Sequence, residues 1–439
     1  MSLVEAAIAA NRFGFGARPG ELETLADNPW DWLRAQIRQP AAPAGDLPLT
    51  RAGMDILIAV QSAPDEESRK PHQEAARALR DRDRVAHIQG AVASDTPFRE
   101  RLVKFWTNHF TVAYVQSYVI PFGGAYETEA IRPYVTGRFR DLLGAVVKHP
   151  AMLFYLDNVR SVGPNSKYGL KAGVGLNENL GRELMELHTL GVGGGYTQAD
   201  VRTLAMILTG WTPGRAKDPP GTIFAFRPTG HEPGPKTFLG KTYPEAGQAE
   251  GEAALDALAA HPATARHIAT QLARHFIADD PPKTAVDRLA KTFLDTDGDL
   301  AAVSEALIDS PEAWQHERRK FKSPLDLVAS VARGFDLGEV GPAAVVWARR
   351  LGQQIYDAPS PQGWPDRESD WLAPELVMER MEWTYQVIPR LTADQSPLPF
   401  AEALVGPTLS EQTKAVLRGA PSQREGIALA LLSPEFQRR

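Results

Sequence analysis

Apolar residues recur along most of this chain at i, i+3, i+4 and i+7, and sustained alternation of apolar and polar positions is rare. That periodicity predicts amphipathic helices of moderate length. The expected fold is mainly α, a compact multi-helix single domain over 1–439, with 213–250 as the candidate point of subdivision. Six joints repeat a Ser/Thr-Pro or His-Pro pair: Thr96-Pro97, His149-Pro150, His261-Pro262, Ser310-Pro311, Ser323-Pro324 and Ser433-Pro434. Each predicts a helix start, because proline lacks an N–H that the first turn would leave unpaired anyway. Residues 64–84 carry dense charge of both signs and read as a solvated helical face. Residues 222–226 and 237–243 depart from the helical pattern and predict two short strands. The turn-rich residues 227–236 would join them, giving one small β-hairpin near 222–243 whose loop presents His231 and Lys236. Segments 39–50, 213–221 and 357–370 are rich in Pro, Gly and Asp and read as loops.

Within the helical pattern, residues 176–190 stand out. At roughly 100° per residue, Leu176, Leu180, Leu184, Leu187 and Leu190 form one apolar stripe, and Glu183 projects between Leu180 and Leu187. A buried carboxylate must be protonated, ion-paired or bound to a metal. Arg182, Arg132 and Arg202 are the candidate ion partners. Asn179, Glu183 and Glu186 fall within about 60° of one another, whereas His188 lies about 140° from Glu183. The first three therefore share a candidate site, and His188 serves another contact unless the helix ends before it.

A second polar residue sits in a core stripe. Leu102, Phe105, Trp106, His109 and Phe110 follow the spacing of a buried helix face, which places His109 in the interior beside Asn108. A lone histidine in such a stripe is more often a hydrogen-bonded core residue than a ligand. Asp157-Asn158 follows an apolar run and either faces a cleft or ends a helix. His149 reads as a capping residue, and Thr197 with Asp200 as a capping box. Trp211, Trp364 and Trp371 put large aromatics in loops, where they stack on sugar rings or cover the core.

Composition narrows the chemistry. The 48 basic and 54 acidic residues give a net charge of −6, without a block of like charge suited to nucleic acid. No cysteine is present, so a metal site would draw on His, Asp, Glu or Asn. No apolar run approaches the roughly 18 residues of a membrane span. The start Met1-Ser2-Leu3 lacks a basic flank, so the expectation is a cytoplasmic protein as written, or a periplasmic or exported one if a leader has been removed. No G-x-S-x-G elbow, phosphate-binding glycine loop, H-E-x-x-H helix or dinucleotide fingerprint occurs in a supporting context.

Several segments together resemble the bacterial family catalogued as domain of unknown function 1800. They are Asn11-Arg12-Phe13-Gly14-Phe15-Gly16, Phe105-Trp106-Thr107-Asn108-His109-Phe110, His149-Pro150-Ala151-Met152, Leu156-Asp157-Asn158 and Asn177-Glu178-Asn179. The resemblance continues through the run from Arg182 to Gly191, Tyr196-Thr197, Gly210-Trp211-Thr212, His231 with Lys236, and Ser433-Pro434-Glu435-Phe436. It spans nearly the whole chain and implies no defined activity. Relatives often carry a second histidine two positions before His109, where this chain has Thr107.

Three functions follow as expectations. The first is a hydrolase or lyase for a small-molecule or glycan-like substrate, with Glu183, Glu186, His109, His231 and Asp157 as acid–base groups. Asn108, Asn179, Arg182, Lys236, Trp211 and Trp364 would bind the substrate. The second is a metal enzyme holding a divalent ion, such as zinc, manganese or iron, through Glu183, Glu186, His109 and His231. The third is a non-catalytic helical scaffold or binding protein whose polar core network fixes the fold.

Overall fold

The computed structural model describes residues 2–38, 48–391 and 395–439. Helices dominate, and strands among the described residues form two small antiparallel pairs. The six prolines of the repeated joints all stand at the start of a helix. His149, His261, Ser323 and Ser433 add side-chain caps there, each accepting a backbone N–H of the first turn. Thr197 and Asp200 form the expected capping box. The charged stretch 64–84 lies in the long helix Glu66–Ala93, whose buried positions concentrate toward its end at Asp83, His87, Ile88, Ala91 and Val92. Of the loop expected over 39–50, residues 39–47 lie outside the described residues, and the helix Pro48–Ser62 begins within the rest.

Strand does form within the two expected segments, but the partners differ, and a strand at Trp211–Pro213 is not among the expected ones. Phe224–Phe226 pairs with Trp211–Pro213, and Lys236–Phe238 pairs with Lys241–Tyr243. Leu239 and Gly240 both have positive φ, 49° and 73°, the conformation of a two-residue hairpin turn with matching twist. The second run therefore folds on itself and leaves the first free for Trp211–Pro213. Trp211 is accordingly a buried strand residue, 1% exposed, and not a loop aromatic. A Cβ on Gly251 would lie 2.2 Å from the Trp211 ring, so the helix Gln248–Ala259 reaches this strand only through a glycine.

Two large apolar clusters organise the interior. One draws on residues between Ile8 and Ala313, including the strand residues Trp211, Phe238 and Tyr243. The other gathers Phe15, Ile88, Ala91 and Val92 with residues 325–436. The helix Pro97–His109 is buried around most of its circumference. Phe98, Leu102, Val103 and Trp106 join the first cluster, while Glu100, Arg101, Lys104 and Thr107 are buried without joining it. Charged groups in such a place must find partners, and those partners build the site.

Candidate functional site

The run that stands out in the sequence is a helix of two kinds. Asn179–Glu183 is α-helical, and Leu184–His188 continues as a π-helix. The wider turn shifts every later side chain relative to a 3.6-residue period. His188 consequently turns inward, 1% exposed. Glu183 precedes the wider turn and is half-buried instead of lying in the core. The Glu183 carboxylate makes no hydrogen bond or ion pair among the described residues. Arg182 instead pairs with Glu178 at 3.0 Å and Glu186 at 3.3 Å, and Arg132 pairs with Glu100 and Glu127. Partial burial, with Glu186 nearby, moves the Glu183 carboxyl upward from its ordinary value. Asn179 is exposed on the same short helix.

The end of that π-helix leaves carbonyls without helical partners, and two histidines from other helices supply donors. His109 Nε2 lies 3.1 Å from the His188 carbonyl, and His267 Nε2 lies 2.8 Å from that of Leu187. A carbonyl only accepts, so each Nε2 carries the hydrogen and each Nδ1 keeps a lone pair. Burial, and then the neighbouring imidazoles His267 and His188, hold His109 well below the ordinary histidine value, so it is neutral at pH 7. The rings of His188 and His267 stand 6.1 Å and 5.9 Å from that of His109. Neither nitrogen of His188 has a hydrogen-bond partner among the described residues.

His109 also lines a cavity of about 480 Å³ between the two apolar clusters. Asn108 lines it too, but its amide is committed: Nδ2 donates to the Trp364 carbonyl at 2.9 Å, and Oδ1 accepts the Trp364 N–H at 2.7 Å. This double bond fixes the loop that brings Trp364 to the cavity. Gly363 makes the approach feasible, since its φ is 83° and a Cβ there would come within 2.5 Å of the Asn108 carbonyl oxygen.

The deepest chemistry in this cavity comes from residues without a conspicuous motif. His87 Nδ1 lies 2.5 Å from Glu127 Oε2, and Tyr356 donates to that same oxygen at 2.9 Å. Lys104 Nζ lies 2.6 Å from Glu127 Oε1 and 2.9 Å from Glu100 Oε1. Desolvation opposes charge on Glu127, but His87, Lys104 and Arg132 outweigh it and hold the carboxyl well below its usual range. An ionised Glu127 only accepts, so His87 Nδ1 carries the hydrogen. Its Nε2 has no hydrogen-bond partner among the described residues. Burial lowers the His87 value despite the opposing pull of Glu127, leaving the ring neutral at pH 7.

Opposite this group runs a second ionic chain. Arg101 Nη2 lies 2.9 Å from Asp326, whose other oxygen is 3.0 Å from Arg439 Nε. His275 Nδ1 meets Asp366 at 2.7 Å, and burial brings His275 down to about 4. Asp326 and Asp366 are held far below the ordinary carboxylate value, because their cationic neighbours and His275 outweigh desolvation. On these two sides the cavity is thus lined by neutral imidazoles and paired ions.

The remaining sequence candidates lie elsewhere. His231 and Lys236 are buried rather than presented by a loop, and both contact Glu250, at 3.2 Å and 2.8 Å. Asp157 sits at a left-handed position, φ 56°, ending the helix Pro150–Tyr155. Its neighbour Asn158 ties the Leu208 and Trp211 carbonyls. None of Glu183, Glu186, His231, Asp157, Asn179, Arg182, Lys236 or Trp211 lines the cavity. Among the described residues no group of three or more His, Asp or Glu is arranged to hold a metal ion, so the quartet of Glu183, Glu186, His109 and His231 is not a coordination sphere.

The residues missed in the sequence carry a faint signal. Glu100 and Lys104 are spaced i, i+4 inside a helix that carries the buried stripe of Phe98, Leu102, Phe105 and Trp106, and His87 opens the apolar end of a charged one. No curated protein and no solved structure matches the chain. One family model covers residues 8–438, nearly the full length, so the chain belongs to the family described as Protein of unknown function (DUF1800).

Proposed function

We propose that the protein is a hydrolase or lyase acting on a glycan-like substrate, with acid–base chemistry centred on His87. One observation carries this reading: a neutral imidazole is oriented through Nδ1 by buried Glu127 and keeps Nε2 uncommitted in the wall of a 480 Å³ cavity. In this reading His87 Nε2 takes a proton from water or substrate, and the ionised Glu127 stabilises the imidazolium that forms. The same ring then returns the proton to the leaving group. Phe105 and Trp364 supply apolar faces on which a sugar ring stacks. Glu183 has no part in this scheme.

A panel of polysaccharides and chromogenic glycosides tests the reading, with release of reducing ends and of unsaturated products as readouts. Turnover should fall by ~10²-fold or more in His87→Asn, with the melting temperature of the wild type retained, and persist in Glu183→Gln. Turnover unaffected by His87→Asn, or absent from the whole panel, overturns it.

A further inference from the structure

The cavity's charges balance unevenly. Arg101 and Arg439 share Asp326, Lys104 lies between Glu100 and Glu127, and Arg367 pairs with Asp280. Arg274 also lines the cavity, half-buried on the helix Pro262–Phe276 beside His275. It has no carboxylate within ion-pair distance among the described residues. Its bonds go to neutral acceptors: Nε donates to the Asp279 carbonyl at 3.1 Å and Nη1 to Gln271 Oε1 at 3.1 Å. These two bonds hold the guanidinium plane and leave Nη2 unassigned. The neutral histidines of the wall add no compensating charge, and Asp370 is an exposed carboxylate at the rim.

A guanidinium fixed by neutral acceptors is already oriented for an anion, and a planar fork suits carboxylate and sulfate alike. We infer that the cavity takes an anionic sugar unit whose carboxylate or ester sulfate is held by Arg274. The inference rests on the glycan reading above and specifies its charge. Holding the plane in advance removes part of the ordering cost of binding.

Calorimetric titration of the full chain with trigalacturonate, a sulfated carrageenan disaccharide that carries no carboxylate, maltotriose and inorganic phosphate tests it. The better acidic sugar should bind ~10-fold or more tightly than maltotriose, as one charge-assisted contact allows. Arg274→Met should erase that margin and leave maltotriose binding unchanged, while Arg274→Lys keeps part of it. The stronger of the two acidic probes identifies carboxylate or sulfate. Equal binding of neutral and acidic sugars, or a margin that survives Arg274→Met, overturns the anionic assignment and leaves the glycan reading standing. Binding of phosphate alone, lost in Arg274→Met, keeps the anion contact and removes the sugar. Binding of no probe overturns both.

Discussion

Glu127 meets His87 through one carboxylate oxygen and Lys104 through the other, at 2.5 Å and 2.6 Å. A single buried carboxylate therefore sets the tautomer of an imidazole and neutralises an ammonium at once. Both roles require it to be ionised.

The ionisation of this group shapes stability against pH. Glu100, which shares Lys104 and Arg132 with Glu127, is lowered from 4.5 to about 2 as those cations outweigh its desolvation. A depressed folded value means that the contribution is present in full above about 4.5 and is lost as pH falls toward 2. Urea denaturation should show Glu100→Gln less stable than the wild type by ~3 kcal/mol or more at pH 7, the usual cost of breaking a buried ion pair. The gap should narrow steadily from pH 4.5 downward. A gap that stays constant into acid would remove the ion pair from the account.

His109 and His267 cap adjacent carbonyls of one π-helix end. Replacing either by Phe should cost ~1–2 kcal/mol through the carbonyl left unpaired. Because both act on the same terminus, the double variant should cost measurably less than the two singles combined. Additive losses would show that the two caps are independent.

The Asn108 amide mimics a backbone partner for Trp364. Asn108→Ala should lose ~1–3 kcal/mol by orphaning both groups of that peptide. The released loop should also shift Trp364 fluorescence to the red. Asn108→Asp should not rescue it, since a carboxylate cannot donate to the Trp364 carbonyl. An unchanged spectrum would mean that the loop is held by other contacts.

Glu183→Gln should leave stability almost unchanged. The upward shift says that the folded state mildly disfavours the ionised form, so neutralising it at pH 7 is slightly stabilising, by ~0.5 kcal/mol or less after solvent screening. That advantage should vanish as pH falls and the native carboxyl protonates. A large loss of stability would instead restore Glu183 to a buried ion pair.

Local rules made much of the fold readable. Proline at helix starts, the Thr197–Asp200 box and the strand character within 222–226 and 237–243 depend on near neighbours, and these appear where their chemistry places them, whereas the strand Trp211–Pro213 was not visible. The pairing of the strands was hidden, because Leu239 adopts a positive φ that its own side chain does not advertise. The π-turn hid His188 for a related reason: a 3.6-residue projection assumes regularity, and one wider turn after Glu183 brought His188 inward. His109, Asn108 and Trp364 were visible as candidates and do share the cavity. His87, Glu127 and Tyr356 come from three distant segments, and no spacing along the chain could announce their meeting.

The cavity wall is closed by Arg439, whose backbone bonds to Lys320 while its guanidinium reaches Asp326 and the His275 carbonyl. Across the same wall, Ser330 holds the carbonyl of Phe15. Contacts between residues so far apart in sequence form late and slowly. During synthesis, therefore, His87, Glu127 and His109 leave the ribosome long before the residues between Ser323 and Arg439 that enclose them. Until residue 439 follows, the charged cavity floor is open to water, and that interval is when the chain most needs protection from misassembly.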